Sequence, residues 1–197
     1  MRYKIILISC ICLQLFSCNN IVKNLQELNE DEESAPFANL VKVKFKNLYS
    51  LRLPDYMKEM KNLHPEASLQ YANIYKDIYT IVIHEDKEEF ISIFKDFGEY
   101  DDQLDNVENY MNFQKAYISE NLNNSKTEEY GLTKINGMPA RQVKILGKVE
   151  DVDVGYITTT IEGENNMYLI MSWTSKSKFK AFENTFENIN GSLEILK

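Results

Sequence analysis

No cysteine follows position 18: Cys10, Cys12 and Cys18 are the only three in 197 residues. That absence excludes a disulfide framework, a thiolate metal site and a thiol nucleophile from the rest of the chain. Glycine (7) and proline (4) are sparse, which sets aside collagenous and low-complexity chains. The glycines are scattered singly and form no phosphate-cradling loop. An excess of cations is also missing, since 22 Lys+Arg face 30 Asp+Glu for a net charge of −8. A phosphate backbone needs clustered Lys and Arg, so no nucleic-acid partner is expected. No Gly-x-Ser-x-Gly elbow is present. The histidines, His64 and His84, lie far apart and outside any metal-ligand spacing. The expectation is a protein that is not an enzyme, with no catalytic residues, no metal site and no cofactor.

What is present begins at the N-terminus. Arg2 and Lys4 precede an apolar stretch from Ile5 to Phe16, the plan of a secretory signal peptide. The stretch falls short of the roughly 20 apolar residues that span a bilayer. It closes on Leu15-Phe16-Ser17-Cys18, followed by the polar Asn19-Asn20. These residues resemble the lipobox of bacterial lipoproteins, with an aliphatic residue at −3, a small one at −1 and cysteine at +1. The resemblance implies cleavage before Cys18 and diacylation of its thiol. Phe16 departs from the smaller residue usual at −2. Cys10 and Cys12, inside the apolar run, read as small hydrophobes. Acyl chains at ~0.8 kcal/mol per buried CH₂ would hold the chain on a membrane. Cleavage removes Arg2 and Lys4, so the charge of −8 becomes −10.

The expected organisation is a signal peptide over 1–17, an acidic tether over 18–38 and one domain over 39–197. The tether carries Glu27, Glu30, Asp31, Glu32 and Glu33 with no apolar period. Strands are expected at 41–45, 49–53, 68–75, 78–83, 141–149, 152–162, 167–174 and 192–196. The stretch Ile78–Ile83 is apolar at odd and even positions alike, as in a sheet covered on both faces. Helical spacing marks Phe90/Phe94/Phe97, then Leu104/Val107/Met111/Ile118/Leu122, then Phe179/Phe182/Phe186/Ile189. Ser175 or Ser177 is positioned to cap the last helix. Hairpin-length connections imply an α+β class with a central antiparallel sheet flanked by helices.

That order resembles the PsbP/Mog1-like superfamily. The resemblance rests on Tyr49-Ser50-Leu51-Arg52-Leu53-Pro54, the turn Ile135-Asn136-Gly137-Met138-Pro139-Ala140, and the terminal Phe179…Phe182…Phe186…Ser192 unit. It implies an α/β/α sandwich over roughly residues 40–197. Members include a photosystem extrinsic subunit, a nuclear-transport adaptor and bacterial lipoproteins. Their partners do not transfer with the fold.

Three surfaces are candidates for function. Tyr110, Phe113 and Tyr117 form a second helical stripe, either partner-facing or a wide core stripe with hydroxyls at its edge. The acids Asp96, Glu99, Asp101, Asp102, Asp105 and Glu108 raise a calcium hypothesis, against their ordinary role at a helix start. His84 and Glu85 are strand neighbours and would point to opposite faces.

The expected function is a lipid-anchored, extracytoplasmic, non-enzymatic binding or assembly module in a bacterial cell envelope. Its partners would be the membrane, through the anchor, and an envelope protein. The alternative is a binder of small apolar or lipid-like molecules, and a carboxylate-dependent hydrolase ranks last. An apolar pocket would favour the ligand binder, a pocketless aromatic patch the protein partner, and convergent carboxylates in a cleft the enzyme. Labelled palmitate should be incorporated by the wild type and not by Cys18→Ala; equal incorporation excludes the anchor.

Overall fold

The computed structural model describes residues 39–196. The expected signal peptide, Cys18 and the tether lie outside the described residues. Among the described residues eleven strands and three helices follow in the order β1 (Leu40–Phe45), β2 (Tyr49–Pro54), β3 (Lys58–Glu59), β4 (Leu69–Asn73), β5 (Ile78–Asp86), α1 (Lys87–Asp96), α2 (Asn106–Glu120), β6 (Asn123–Glu129), β7 (Lys134–Ile135), β8 (Met138–Val149), β9 (Val152–Glu162), β10 (Asn166–Ser175), α3 (Lys176–Asn190) and β11 (Glu194–Ile195). The large sheet runs β3-β4-β5-β10-β9-β8-β6, with β7 paired to β8. A small sheet runs β1-β2-β11. Every pairing is antiparallel.

The two-faced pattern of β5 has the expected consequence. Ile78 and Val82 pack with Tyr168 and Ile170 of β10 against the small sheet and α3. Ile81 and Ile83 pack with Met167 and Leu169 against α1 and α2. The large sheet is therefore buried on both sides, and the class is α+β as the sequence implies.

On the first side, α3 lays Phe179, Phe182, Phe186 and Ile189 on the sheet. Burying one such phenylalanine contributes about 1.5–3 kcal/mol. Gly155 is what lets α3 sit so close, since a Cβ there would lie 2.3 Å from the Phe179 ring. The end of α3 is fixed by a polar cluster inside the core. Asn190 Nδ2 donates to Ile157 O (3.0 Å) and Thr159 Oγ1 (3.1 Å), while its Oδ1 accepts from Ser172 Oγ (2.7 Å). Thr80 Oγ1 bonds Ser172 Oγ at 2.9 Å, and Gln142 Nε2 donates to Thr159 Oγ1 at 2.9 Å. All five side chains are buried, and their hydrogen bonds offset the cost of that burial.

Several boundaries differ from expectation for identifiable reasons. The strand expected over 68–75 stops at Asn73, whose side chain accepts from Tyr75 N (3.1 Å) and Lys76 N (2.9 Å) to start a turn. β6 is exposed throughout and polar, Asn-Asn-Ser-Lys-Thr-Glu-Glu, so it has no apolar alternation to reveal it. Its composition suits a sheet edge that must not recruit another strand. β8 begins before the expected Arg141, because Asn136 (φ 50°) and Gly137 (φ 84°) turn the chain back on β7. Phe97 caps the end of α1 and is 79% exposed, so it leaves the core stripe assigned to it. Ser175 occupies the N-cap of α3 but makes no capping bond.

Residues Phe37–Lys197 form a unit with its own core, the property of a domain able to fold alone. Asn190→Ala would take a buried hydrogen bond at once from Ser172, Thr159 and the Ile157 carbonyl. We expect it to cost about 2–3 kcal/mol in denaturant unfolding, against less than about 0.5 for Tyr75→Ala at an exposed hairpin. Equal effects would show that the cluster does not hold α3.

Candidate functional site

The second side of the sheet is covered less completely. Helix α1 starts at Asp86, whose carboxylate accepts from Glu89 N at 2.9 Å, and only Phe90 of the helix is buried. Helix α2 is held more firmly. Val107, Tyr110, Met111 and Ile118 are buried, and Asp105 caps it by accepting from Glu108 N at 2.8 Å. Between the helices and the sheet lies an open cleft of about 1040 Å³. Its floor is Ile83 and Leu169, with Met171 and Tyr156 further along. Phe94 and Phe113 meet edge to face across it, with ring centroids 4.5 Å apart at 82°. Phe90 packs on Phe94 at 4.4 Å and on Tyr110 at 5.0 Å, and Phe113 stacks on Tyr117 at 6.4 Å. A continuous string of rings thus runs from the core to the cleft mouth, each contact contributing about 0.5–1.5 kcal/mol beyond its buried area.

The polar groups of the cleft gather at one end. Glu85 follows Ile81 and Ile83 on the helix-facing side of β5, and it lines the cleft with Glu66, Asp86 and Glu89. Burial pushes the Glu85 carboxyl above its ordinary range, and the charges of Glu66 and Glu89 push the same way, while the nearby Tyr110 hydroxyl opposes them. The Tyr110 hydroxyl is fully buried and near both Glu85 and Gln114, yet makes no well-formed hydrogen bond to either. Burial first, and then the Glu85 charge, raise its pKa well above the phenolic range. No lysine or arginine lines the cleft.

The sequence-derived candidates divide on this map. Of the Tyr110/Phe113/Tyr117 stripe, Tyr110 takes the core alternative: it is 0% exposed and packs beneath α1. Phe113 and Tyr117 are 40% and 55% exposed and form cleft wall. The stripe splits because α2 rolls its Tyr110 edge onto Phe90. His84 turns its ring toward Phe45, Tyr49 and Tyr168 on the small-sheet side, while Glu85 faces the helices, the divergence their strand spacing requires.

Four of the acids of residues 96–108, Asp101, Asp102, Asp105 and Glu108, have protein partners. Asp105 and Glu108 pair with Arg141 at 2.6 and 3.3 Å, and Asp102 pairs with Lys95 at 2.9 Å. Asn109 folds the loop onto itself, donating to Asp101 O (3.0 Å) and accepting from Asp101 N (2.9 Å). Among the described residues no group of His, Cys, Asp or Glu is arranged to hold a metal ion.

The carboxylate end is what sequence reasoning passed over. Its signal was the alternation Ile81, Ile83, Glu85, which sets an acid on a buried strand face.

Among solved structures, the cyanobacterial PsbP (CyanoP) of Synechocystis matches with a TM-score of 0.51 at 11% identity, over 82% of this chain and 95% of that one. The fold is PsbP-like. LpqN of Mycobacterium tuberculosis, described as involved in cell envelope biogenesis, aligns at 10% identity over 83% of this chain and 87% of its own, with a TM-score of 0.43. A protein of unknown function from Pseudomonas aeruginosa aligns at 13% identity over 76% and 92%, with a TM-score of 0.41. No protein-family model and no curated protein matches the sequence. This PsbP-like chain is thus assigned by geometry, and its cleft has to be read from its own residues.

One consequence is thermodynamic. A carboxyl with a raised folded pKa favours folding at low pH, where it is protonated in both states, and loses that favour as pH climbs through the folded value. Glu85→Gln should therefore raise the melting temperature at pH 7. The gain should vanish below about pH 4.5, the ordinary glutamate value. A lower melting temperature at pH 7 would show that Glu85 is stabilised where it stands.

Proposed function

We propose that the chain is a non-catalytic binding module of the bacterial cell envelope, anchored by lipid on Cys18, whose α1–α2 cleft receives an apolar small molecule. The observation that carries this reading is the cleft itself: about 1040 Å³, with an apolar floor and aromatic walls. Ligand sites are commonly concave, largely apolar and furnished with a few convergent polar groups. Phe113 and Tyr117 could have formed a flat patch for a protein partner. They instead border a concavity, which favours the small guest over the assembly role. The signal-like N-terminus and its cysteine support the envelope location. Among the described residues no helix is long and apolar enough to cross a membrane.

The meeting of Glu85 with Glu66 and Glu89 favours one further reading, a carboxylate-dependent hydrolase, since a carboxyl with a raised pKa is the usual proton donor of such sites. The cleft supports it poorly. Apart from its charged residues and histidines, Gln114, Asn121, Tyr117 and Tyr156 are its polar side chains. A polar scissile bond would find few groups to hold it.

N-phenylnaphthylamine, an uncharged dye that brightens in apolar sites, tests the cleft directly. It should bind the 37–197 unit saturably. Phe113→Ala should weaken binding about 5–10-fold, equivalent to about 1–1.4 kcal/mol. Tyr75→Ala, on the exposed β4–β5 hairpin, should leave it unchanged. Absence of saturable binding, or indifference to Phe113→Ala, overturns the reading.

A further inference from the structure

The cleft is apolar along its length and acidic at one end, and that asymmetry restricts what can enter it. Two partly buried carboxylates elsewhere on the domain each meet a lysine: Glu162 with Lys87 at 3.4 Å and Glu183 with Lys144 at 3.3 Å. None of Glu66, Glu85 and Glu89 has an ion-pair partner among the described residues, and no lysine or arginine lines the cleft. Glu85 is the innermost of the three, next to Ile83 on the buried face of β5. Beside it the Tyr110 hydroxyl, buried completely, lacks a well-formed bond. A buried hydroxyl and a half-buried carboxylate left without full partners are costly. A guest that brings a positive charge to this end would offset the cost at Glu85, which lines the cleft.

Resting on the cleft-binding reading above, we propose that the guest is an amphiphilic ammonium. Its hydrocarbon or aromatic body lies on Leu169 and Met171 under Phe94 and Phe113, and its cationic nitrogen is received by Glu85 with Glu66 and Glu89. The same arrangement rejects fatty carboxylates and other anionic amphiphiles. Their head groups would meet like charge in a partly desolvated site, where repulsion is weakly screened. The discrimination thus comes from repulsion of the wrong head as well as attraction of the right one.

Chain-matched probes separate this proposal from the reading beneath it. N-phenylnaphthylamine bound to the 37–197 unit is displaced by dodecylammonium, dodecanoate or uncharged dodecyl maltoside, each below its micellar concentration. Folding is followed by circular dichroism throughout. The expected order is dodecylammonium about tenfold stronger than the maltoside, with dodecanoate weakest. Glu85→Gln should reduce the ammonium-over-maltoside preference, measured on the variant itself, to threefold or less, while Tyr75→Ala on the exposed hairpin keeps it. If the dye binds but the three heads compete equally, the cleft reading stands and the ammonium proposal fails. If dodecanoate wins, the proposal also fails. If the dye does not bind at all, both fail together.

Discussion

Everything in this domain follows from the pairing of β5 with β10, two central strands whose side chains are apolar on both faces. A sheet of that kind cannot leave either surface to water, so it must be covered twice. One cover is complete. α3 and the small sheet close over Ile78, Val82, Tyr168 and Ile170, and Asn190 locks the end of the helix into the strands. The other cover is built from α1 and α2 and is left partial, because α1 contributes one buried side chain, Phe90. The cleft is the area of sheet that this short helix does not reach.

The two covers also treat buried polarity in opposite ways. Under α3, Asn190, Ser172, Thr80, Thr159 and Gln142 satisfy one another, which fixes a single packing. Under α2, Tyr110 has a buried hydroxyl without a partner, and Glu85 carries a charge that burial disfavours. Unsatisfied groups of this kind are tolerated in folded proteins mainly where binding or chemistry makes use of them. The helix least firmly anchored, α1, lies over that same end. Local opening of a helix held by so few buried contacts costs less than opening the sheet, and such elements commonly admit ligands.

How much of this could be read from the chain depends on whether the pattern was local. Period-two alternation at Val41–Phe45 and Tyr49–Leu53, and the unbroken apolar run of β5, state their structure in a few consecutive residues. The Phe179/Phe182/Phe186 spacing does the same for α3. β6 was hidden because an exposed edge strand has no buried face to leave a period. The two readings of the Tyr110 stripe stayed open for another reason. The spacing of Tyr110 from Phe113 and Tyr117 is helical, but which part of a wide stripe faces inward depends on how α2 rolls against Phe90, a contact with another element. The acidic end was hidden likewise: Glu66, Glu85 and Glu89 come from a loop, a strand and a helix. Their meeting is a property of the tertiary fold, although Glu85's phase with Ile81 and Ile83 was visible in β5.

The anchor and the cleft bear on each other through the scarcity of apolar molecules in water. A guest with a long hydrocarbon tail gains ~0.8 kcal/mol per CH₂ by staying in a bilayer, so a free-floating binder would rarely meet it. Were Cys18 acylated as proposed, the twenty residues 19–38 would hold the domain at most ~70 Å from the lipid surface, the extended length of that chain. The guest then has a short path. In that setting acidic residues would keep the domain's own surface off anionic headgroups, while the acidic end of the cleft would draw cations from the layer that such headgroups concentrate. On the proposed reading, anchor, charge and cleft would act in one direction: the lipid would hold the domain near the reservoir, the net charge would prevent collapse onto it, and the carboxylate end would select the sign of what leaves it.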